Sequence, residues 1–155
     1  MSFREDLEFG HKYENIFIEK ILNNPVGLER PSGKFSGYDF AIGNERYEIK
    51  ADRQTYKTGN FCIEFGCNGR PSGISVTQAT HYGYFVVRPG GDYDTYNIPT
   101  LFILQMIMEK RYSREMRGGD GGRSQFYLFD RNIFNDYKVD GECSVGETTP
   151  IVLVN

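Results

Sequence analysis

The stretch GYDFAIGNERYEIKAD, residues 37–52, has the form of two short strands around a tight turn, yet it carries Asp39, Glu48 and Lys50 within that small span. Gly43-Asn44 is a two-residue turn signal of the Gly-X kind, and such a turn fixes the register of the strands it joins. The expected pairs are Ile42 with Glu45, Ala41 with Arg46, Phe40 with Tyr47, and Asp39 with Glu48. Opposed residues of an antiparallel pair share a face with Cβ atoms about 4.5–5.5 Å apart. Asp39 and Glu48 would then repel each other unless a cation lies between them or one holds a proton. A divalent ion with hard oxygen ligands is the natural filler. Lys50 follows Glu48 by two residues, so the strand period places it on the same face roughly 7 Å along. Tyr47 and Ile49 point the other way, with Phe40, toward a core. The plainer alternative is a solvated hairpin face on which Lys50 neutralises Glu48.

Outward from the hairpin, residues 3–23 read as an amphipathic helix. Phe3, Leu7, Tyr13, Phe17, Ile18, Ile21 and Leu22 fall on one broad side, and Asn23, Asn24 and Pro25 end it. Glu14 breaks the pattern by lying inside the apolar arc. A polar loop through ERPSGKFS precedes the hairpin. After it come NFCIEFGC (60–67) as a third strand, the Gly/Pro turn NGRPSGIS (68–75), a helical turn in VTQATHY, and GYFVVRP (83–89) as a fourth strand. TLFILQMIMEKRYS (100–113) predicts a second helix, REMRGGDGGRS a mobile Gly-rich loop, and QFYLFD (125–130) and TPIVLVN (149–155) late strands.

The chain of 155 residues suits one compact domain, with a core at about 10–113 and C-terminal strands over 124–155. Its 18 Lys and Arg against 21 Asp and Glu give a formal charge of −3, so any nucleic-acid contact must come from a local basic face. Abundant Gly, Tyr and Phe favour strands and turns over a helical bundle. Cys62, Cys67 and Cys143 lack CxxC spacing, and with only His11 and His81 present zinc has little to bind it. The longest apolar run, LFILQMIM (101–108), is too short for a membrane span, and the acidic N-terminus MSFREDLEFG does not read as a signal peptide. A soluble protein, cytoplasmic or inside a host cell, is expected, without membrane partners.

Asp39, followed nine residues later by Glu48 in EIK, resembles the core of the PD-(D/E)XK nuclease superfamily: an acid, a hairpin turn, and (D/E)xK on the next strand. Glu14 is similar to the helical carboxylate of many members, and the GHKYE spacing to that of the Holliday-junction-resolvase-like branch. The run from TGN and IE into PSGI resembles small phage and viral members, and QATHY fits the QxxxY element of some branches. The likeness spans roughly residues 10–88, with Tyr38 where a proline often precedes the acid.

The resemblance implies an α/β, restriction-endonuclease-like fold, a central mixed sheet flanked by the N-terminal helix and the helix near 100–113. It also implies Mg²⁺- or Mn²⁺-dependent endonuclease activity on DNA, including branched or structured DNA, and a homodimer. Asp39, Glu48 and the Ile49 carbonyl would hold the metal, Glu14 would complete the site, and Lys50 would orient water or stabilise developing charge. Glu64, Ser72, Thr77 and Gln78 are auxiliary candidates. Arg53, Lys57 and Arg70, then Arg111, Arg114, Arg117 and Arg123 around the Gly-rich loop, are candidates for nucleic-acid contact. Two rival expectations are an RNA endonuclease on the same fold and a binding module that has lost its chemistry.

Overall fold

The computed structural model describes residues 2–33 and 37–139. Helix α1 (Phe3–Ile16) opens with a reciprocal cap: the Glu5 N–H donates to Ser2 Oγ at 3.2 Å and the Ser2 N–H donates to Glu5 Oε1 at 2.8 Å. It runs on through a π-helical turn at Phe17–Ile21, and left-handed backbone at Asn23 and Asn24 then stops it. Tyr13 and Phe17 carry its buried face.

A six-stranded mixed sheet has the order β1–β2–β3–β6–β7–β10. Its strands are β1 (Leu28–Glu29), β2 (Phe40–Ile42), β3 (Glu45–Asp52), β6 (His81–Val87), β7 (Tyr93–Pro99) and β10 (Lys138–Val139). Only β3 and β6 run parallel. The segment crossing between them contains α2 (Thr55–Thr58), β4 (Asn60–Cys67) and β5 (Arg70–Pro71). With β8 (Arg114–Gly118) and β9 (Ser124–Asp130), these strands form an antiparallel second sheet of order β5–β4–β9–β8. The fold is therefore mixed α/β, with a second sheet that the sequence reading did not anticipate.

Alternation along the strands sends each set of side chains to a different layer. Tyr47, Ile49, Phe85 and Val87 meet Tyr13 and Phe17 of the N-terminal helix. On the opposite face Tyr82, Tyr84, Val86, Tyr96 and Ile98 meet Phe61, Ile63 and Phe129 of the second sheet, together with Ile103 and Met106 of α3 (Thr100–Met108). The Phe61 and Tyr84 rings lie 4.0 Å apart and nearly parallel.

The helix can approach the first sheet closely because Gly83 has no side chain. A Cβ there would lie 2.6 Å from both Phe17 Cε2 and Ile49 Cδ1. Ile49 can rotate, but the Phe17 ring is fully buried and fixed by its neighbours. Gly83→Ala is thus expected to destabilise the protein by about 1–3 kcal/mol through overpacking. Urea denaturation monitored by circular dichroism checks this; an unchanged midpoint would show that the helix is not seated on this glycine.

Several local expectations are corrected. The first helix is α-helical only to Ile16, and the second ends at Met108, followed by left-handed Lys110. The helical turn expected in VTQATHY lies earlier, at Gly73–Ser75, and β6 already begins at His81. Strand β7 was missed. The Gly-rich stretch read as a mobile loop is β8, a turn, and the start of β9, paired from Arg114 opposite Leu128 to Gly118 opposite Ser124. Of the late strands, QFYLFD is present within β9, and TPIVLVN and Cys143 lie outside the described residues; β10 was not expected. Among the described residues no helix is long and apolar enough to cross a membrane.

Candidate active site

The hairpin turn has φ +60° at Gly43, and the three innermost pairs stand in the expected register: Phe40 with Tyr47, Ala41 with Arg46, Ile42 with Glu45. The fourth does not. The Asp39 N–H donates to the Tyr47 carbonyl at 2.7 Å, so the ladder ends there and Asp39 is not paired with Glu48. Instead Asp39 Oδ2 accepts the Ile49 N–H at 2.8 Å. Beyond Tyr47, β3 is paired only on its β6 side among the described residues, and the Asp39 side chain occupies part of the edge left open. In an extended strand the N–H and C=O of one residue point to the same side, so the Ile49 carbonyl also faces that edge.

Glu48 and Lys50 share the face toward the second sheet, 3.2 Å apart between Oε2 and Nζ. The Glu48 side chain is mostly buried, whereas that of Lys50 is half exposed. Glu14 sits on the helix side, where Arg30 Nη1 donates to its Oε1 at 2.8 Å. Glu64, from β4, accepts a 2.8 Å hydrogen bond from the Ser72 hydroxyl.

These groups sense one another. Burial raises the Asp39 carboxyl above its ordinary range, against the lowering effect of the Ile49 N–H and Lys50. Burial likewise raises Glu48, which Lys50 lowers and Asp39 and Glu14 raise further. Glu14 is raised by burial and by Asp39, with Arg30 opposing. Desolvation works against the Lys50 charge, but Glu48, Asp39 and Glu64 more than offset it and hold the ammonium above its ordinary value. Buried Tyr82 adjoins the same cluster, its phenol raised by burial and then by Glu48.

The backbone carrying Asp39 is anchored from the PSGI side. The Gly37 carbonyl accepts from the Gln78 N–H at 3.0 Å and from the Thr77 hydroxyl at 3.3 Å. The Gln78 carbonyl accepts from Arg46 Nε at 2.6 Å. Gly73 lets the turn pass under β4: its φ is +52°, and a Cβ there would lie 2.2 Å from the Glu64 carbonyl oxygen. The Ser72 and Thr77 hydroxyls therefore hold protein groups in place, whereas Gln78 does so through its backbone and its side chain is exposed.

The structure thus brings Glu14, Asp39, Glu48, Lys50 and Glu64 into one electrostatic cluster. Among the described residues, however, no group of three or more His, Cys, Asp or Glu side chains is gathered tightly enough to hold a metal. The donor chemistry fits Mg²⁺ or Mn²⁺ nonetheless: the Asp39 carboxylate and the Ile49 carbonyl lie at the open edge, and the desolvated Glu48 carboxylate lies on the adjoining face of the same strand. Mg²⁺ is commonly bound by one or two carboxylates, with water and substrate phosphate as further ligands.

The basic candidates are scattered. Arg53 stacks on Phe9, its guanidinium carbon 3.7 Å from the ring centroid. Lys57 and Arg70 are exposed on α2 and β5. Arg111 pairs with Glu109 at 3.6 Å, Arg117 turns back to the Gly122 carbonyl at 3.5 Å, and Arg114 and Arg123 are exposed at opposite ends of the β8–β9 hairpin. Arg30, Lys12 and Arg88 were missed by the sequence reading. Arg30 has no local signal, since its partner Glu14 lies a whole helix end and loop away; Tyr82 had one, as the tyrosine of QATHY.

A scan against protein-family models finds no match for this chain, and a search of curated proteins finds none either.

Proposed function

We propose that the protein is a metal-dependent endonuclease hydrolysing phosphodiester bonds in DNA, on a restriction-endonuclease-like version of its mixed α/β fold. The observation that carries the reading is the coupling of Glu14, Asp39 and Glu48 around the open edge of β3, with Lys50 held on Glu48. Burial raises all three acids, Asp39 raises Glu14 and Glu48 further, and Glu14 adds to Glu48, an arrangement that a divalent cation relieves.

Asp39, Glu48 and the Ile49 carbonyl would hold Mg²⁺ or Mn²⁺, with Glu14 beside them. When bound, such an ion offsets charge on the phosphate and makes water nucleophilic near neutral pH. Lys50 keeps its proton and presents a fixed positive charge to the developing phosphorane oxygens or to the attacking water. Asp39 is tied to the open edge of β3 through Oδ2, which accepts the Ile49 N–H. The Glu64 charge, from the second sheet, helps hold the Lys50 proton, and the Ser72 hydroxyl fixes Glu64.

One observation favours a different reading, a metal-free binding module: Arg30 and Lys50 already neutralise Glu14 and Glu48 without an ion. Incubating the protein with matched DNA and RNA, linear and branched, in Mg²⁺, Mn²⁺ or EDTA separates these readings. Divalent-dependent cutting of DNA is expected. Cutting confined to RNA would move the substrate, and no cutting together with no calorimetric signal for either ion at millimolar concentration would sink the enzyme reading.

A further inference from the structure

The groove at Lys50 continues past the acids. Asp6, Lys50, Asp52, Cys62, Tyr84 and Phe126 line a cleft of about 410 Å³ that Phe9 and Arg53 also border. Phe9 and Arg53 reappear in the wall of an adjoining cavity of about 380 Å³, together with Lys12, Tyr56, Arg88 and the Gly90-Gly91 turn. The two spaces share the Arg53–Phe9 stack as a common wall. Arg53 lies three residues beyond Lys50, about 10 Å along extended chain.

The far cavity has the chemistry of a single-strand site. Among the described residues no acid lines it, whereas Lys12, Arg53 and Arg88 do, interleaved with Phe9, Tyr13 and Tyr56. Arg88 has a carboxylate partner in Asp94 at 2.8 Å, but Asp94 is shared with Arg131 at 3.0 Å and Lys138 at 3.8 Å, so cations remain in excess. The near cleft has two acids, exposed Asp6 and Asp52, and the Asp52 carboxylate is occupied internally, accepting from the Gln54 and Thr55 N–H groups and from the Tyr84 hydroxyl. The far cavity's volume falls at the low end of the roughly 300–1,000 Å³ typical of small-ligand pockets, the scale of one nucleotide and not of a duplex.

We propose that this cavity is a nucleotide subsite that receives an unstacked nucleotide of single-stranded DNA, its base against the Arg53–Phe9 stack and Tyr56, its phosphate between Lys12 and Arg88. Aromatic platforms joined to cations are what single strands require, because every base has a face to stack and every link a charge to meet. The proposal rests on the nuclease reading for the direction of the strand toward Lys50, and its test does not depend on cleavage.

Fluorescein-labelled oligo(dT) is titrated in EDTA with the wild-type protein, Lys12→Glu and Tyr56→Ala, and anisotropy is read at several salt concentrations. Lys12 and Tyr56 are both exposed, so the fold should survive, and circular dichroism verifies it. Each variant is expected to weaken oligo(dT) binding by about tenfold, Lys12→Glu also flattening the salt dependence, while a blunt duplex is affected less. Wild-type affinity in both variants would overturn the subsite, as would equal losses for single strand and duplex. Tighter binding of oligo(U), lost in the same variants, would overturn the assignment to DNA. Active cleavage with unchanged oligo(dT) binding would remove the subsite and leave the nuclease; the converse would remove the nuclease and leave the subsite.

Discussion

Lys50→Ala will lower the single-turnover rate of Mg²⁺-dependent DNA cleavage by about 100- to 1,000-fold, the usual effect of removing one preorganised charge from a reacting centre. The loss should fall on the chemical step and spare DNA binding, because Lys50 is one cation at the site while strand affinity is spread over many. Its side chain is half exposed, so the variant should remain folded. Lys50→Arg keeps the charge but changes its reach and geometry, and a partial recovery is expected. Glu48→Ala should be at least as damaging, since it removes a candidate ligand and the partner that holds Lys50. A Lys50→Ala protein that cuts within about threefold of wild type would remove Lys50 from the mechanism, as would an equal fall in binding.

Asp39→Asn should abolish cleavage and yet raise the melting temperature of the metal-free protein at neutral pH. The side-chain amide oxygen of this variant can still accept the Ile49 N–H, so that hydrogen bond is kept, but the charge that burial disfavours is gone. The native Asp39 value is raised, so the folded state binds more protons than the unfolded chain between the ordinary and the raised value. The stability lost to this group therefore builds up as pH rises from the ordinary value through the native one, and vanishes below the ordinary carboxylate value of about 4. Wild type and Asp39→Asn should melt apart at pH 7 and together near pH 3. For a chain of this size a gap of about 1 kcal/mol corresponds to roughly 2–4 °C. Millimolar Mg²⁺ should narrow the gap, because an ion that binds only the folded wild type stabilises it. A variant less stable than wild type in EDTA at pH 7 would show that the Asp39 charge is not strained.

The hairpin was legible because everything that sets it is local: Gly43-Asn44 makes the turn, and the turn fixes the nearest pairs. Legibility failed at Asp39, where the backbone leaves the ladder one residue early and the side chain takes over a strand's hydrogen bond. Simple alternation cannot anticipate that exchange. The second sheet was hidden for another reason. Its central pair joins Phe61 to Phe129 and Glu64 to Phe126 across half the chain, and β8 reads as a loop because Gly118 and Gly119 advertise the turn beyond it. Strand β7 has polar residues and a terminal proline, and only the packing of Tyr96 and Ile98 reveals it. The acids were found because their spacing follows the hairpin. Arg30 and Arg88 were not, because their placement depends on a helix end and a distant turn.

The edge of β3 beyond Tyr47, unpaired among the described residues, has a consequence for how this protein avoids its own copies. A strand with free N–H and C=O groups invites another chain to add to the sheet, and natural sheets guard such edges with charge. Here Glu48, Lys50 and Asp52 alternate along that length of the strand. The residues proposed to do the chemistry are also those that make the edge inhospitable to a neighbouring strand. Stripping Glu48 and Lys50 together to make a catalytically dead reagent would leave a more neutral edge beside an apolar hairpin, and such a variant is better made with Lys50→Gln alone.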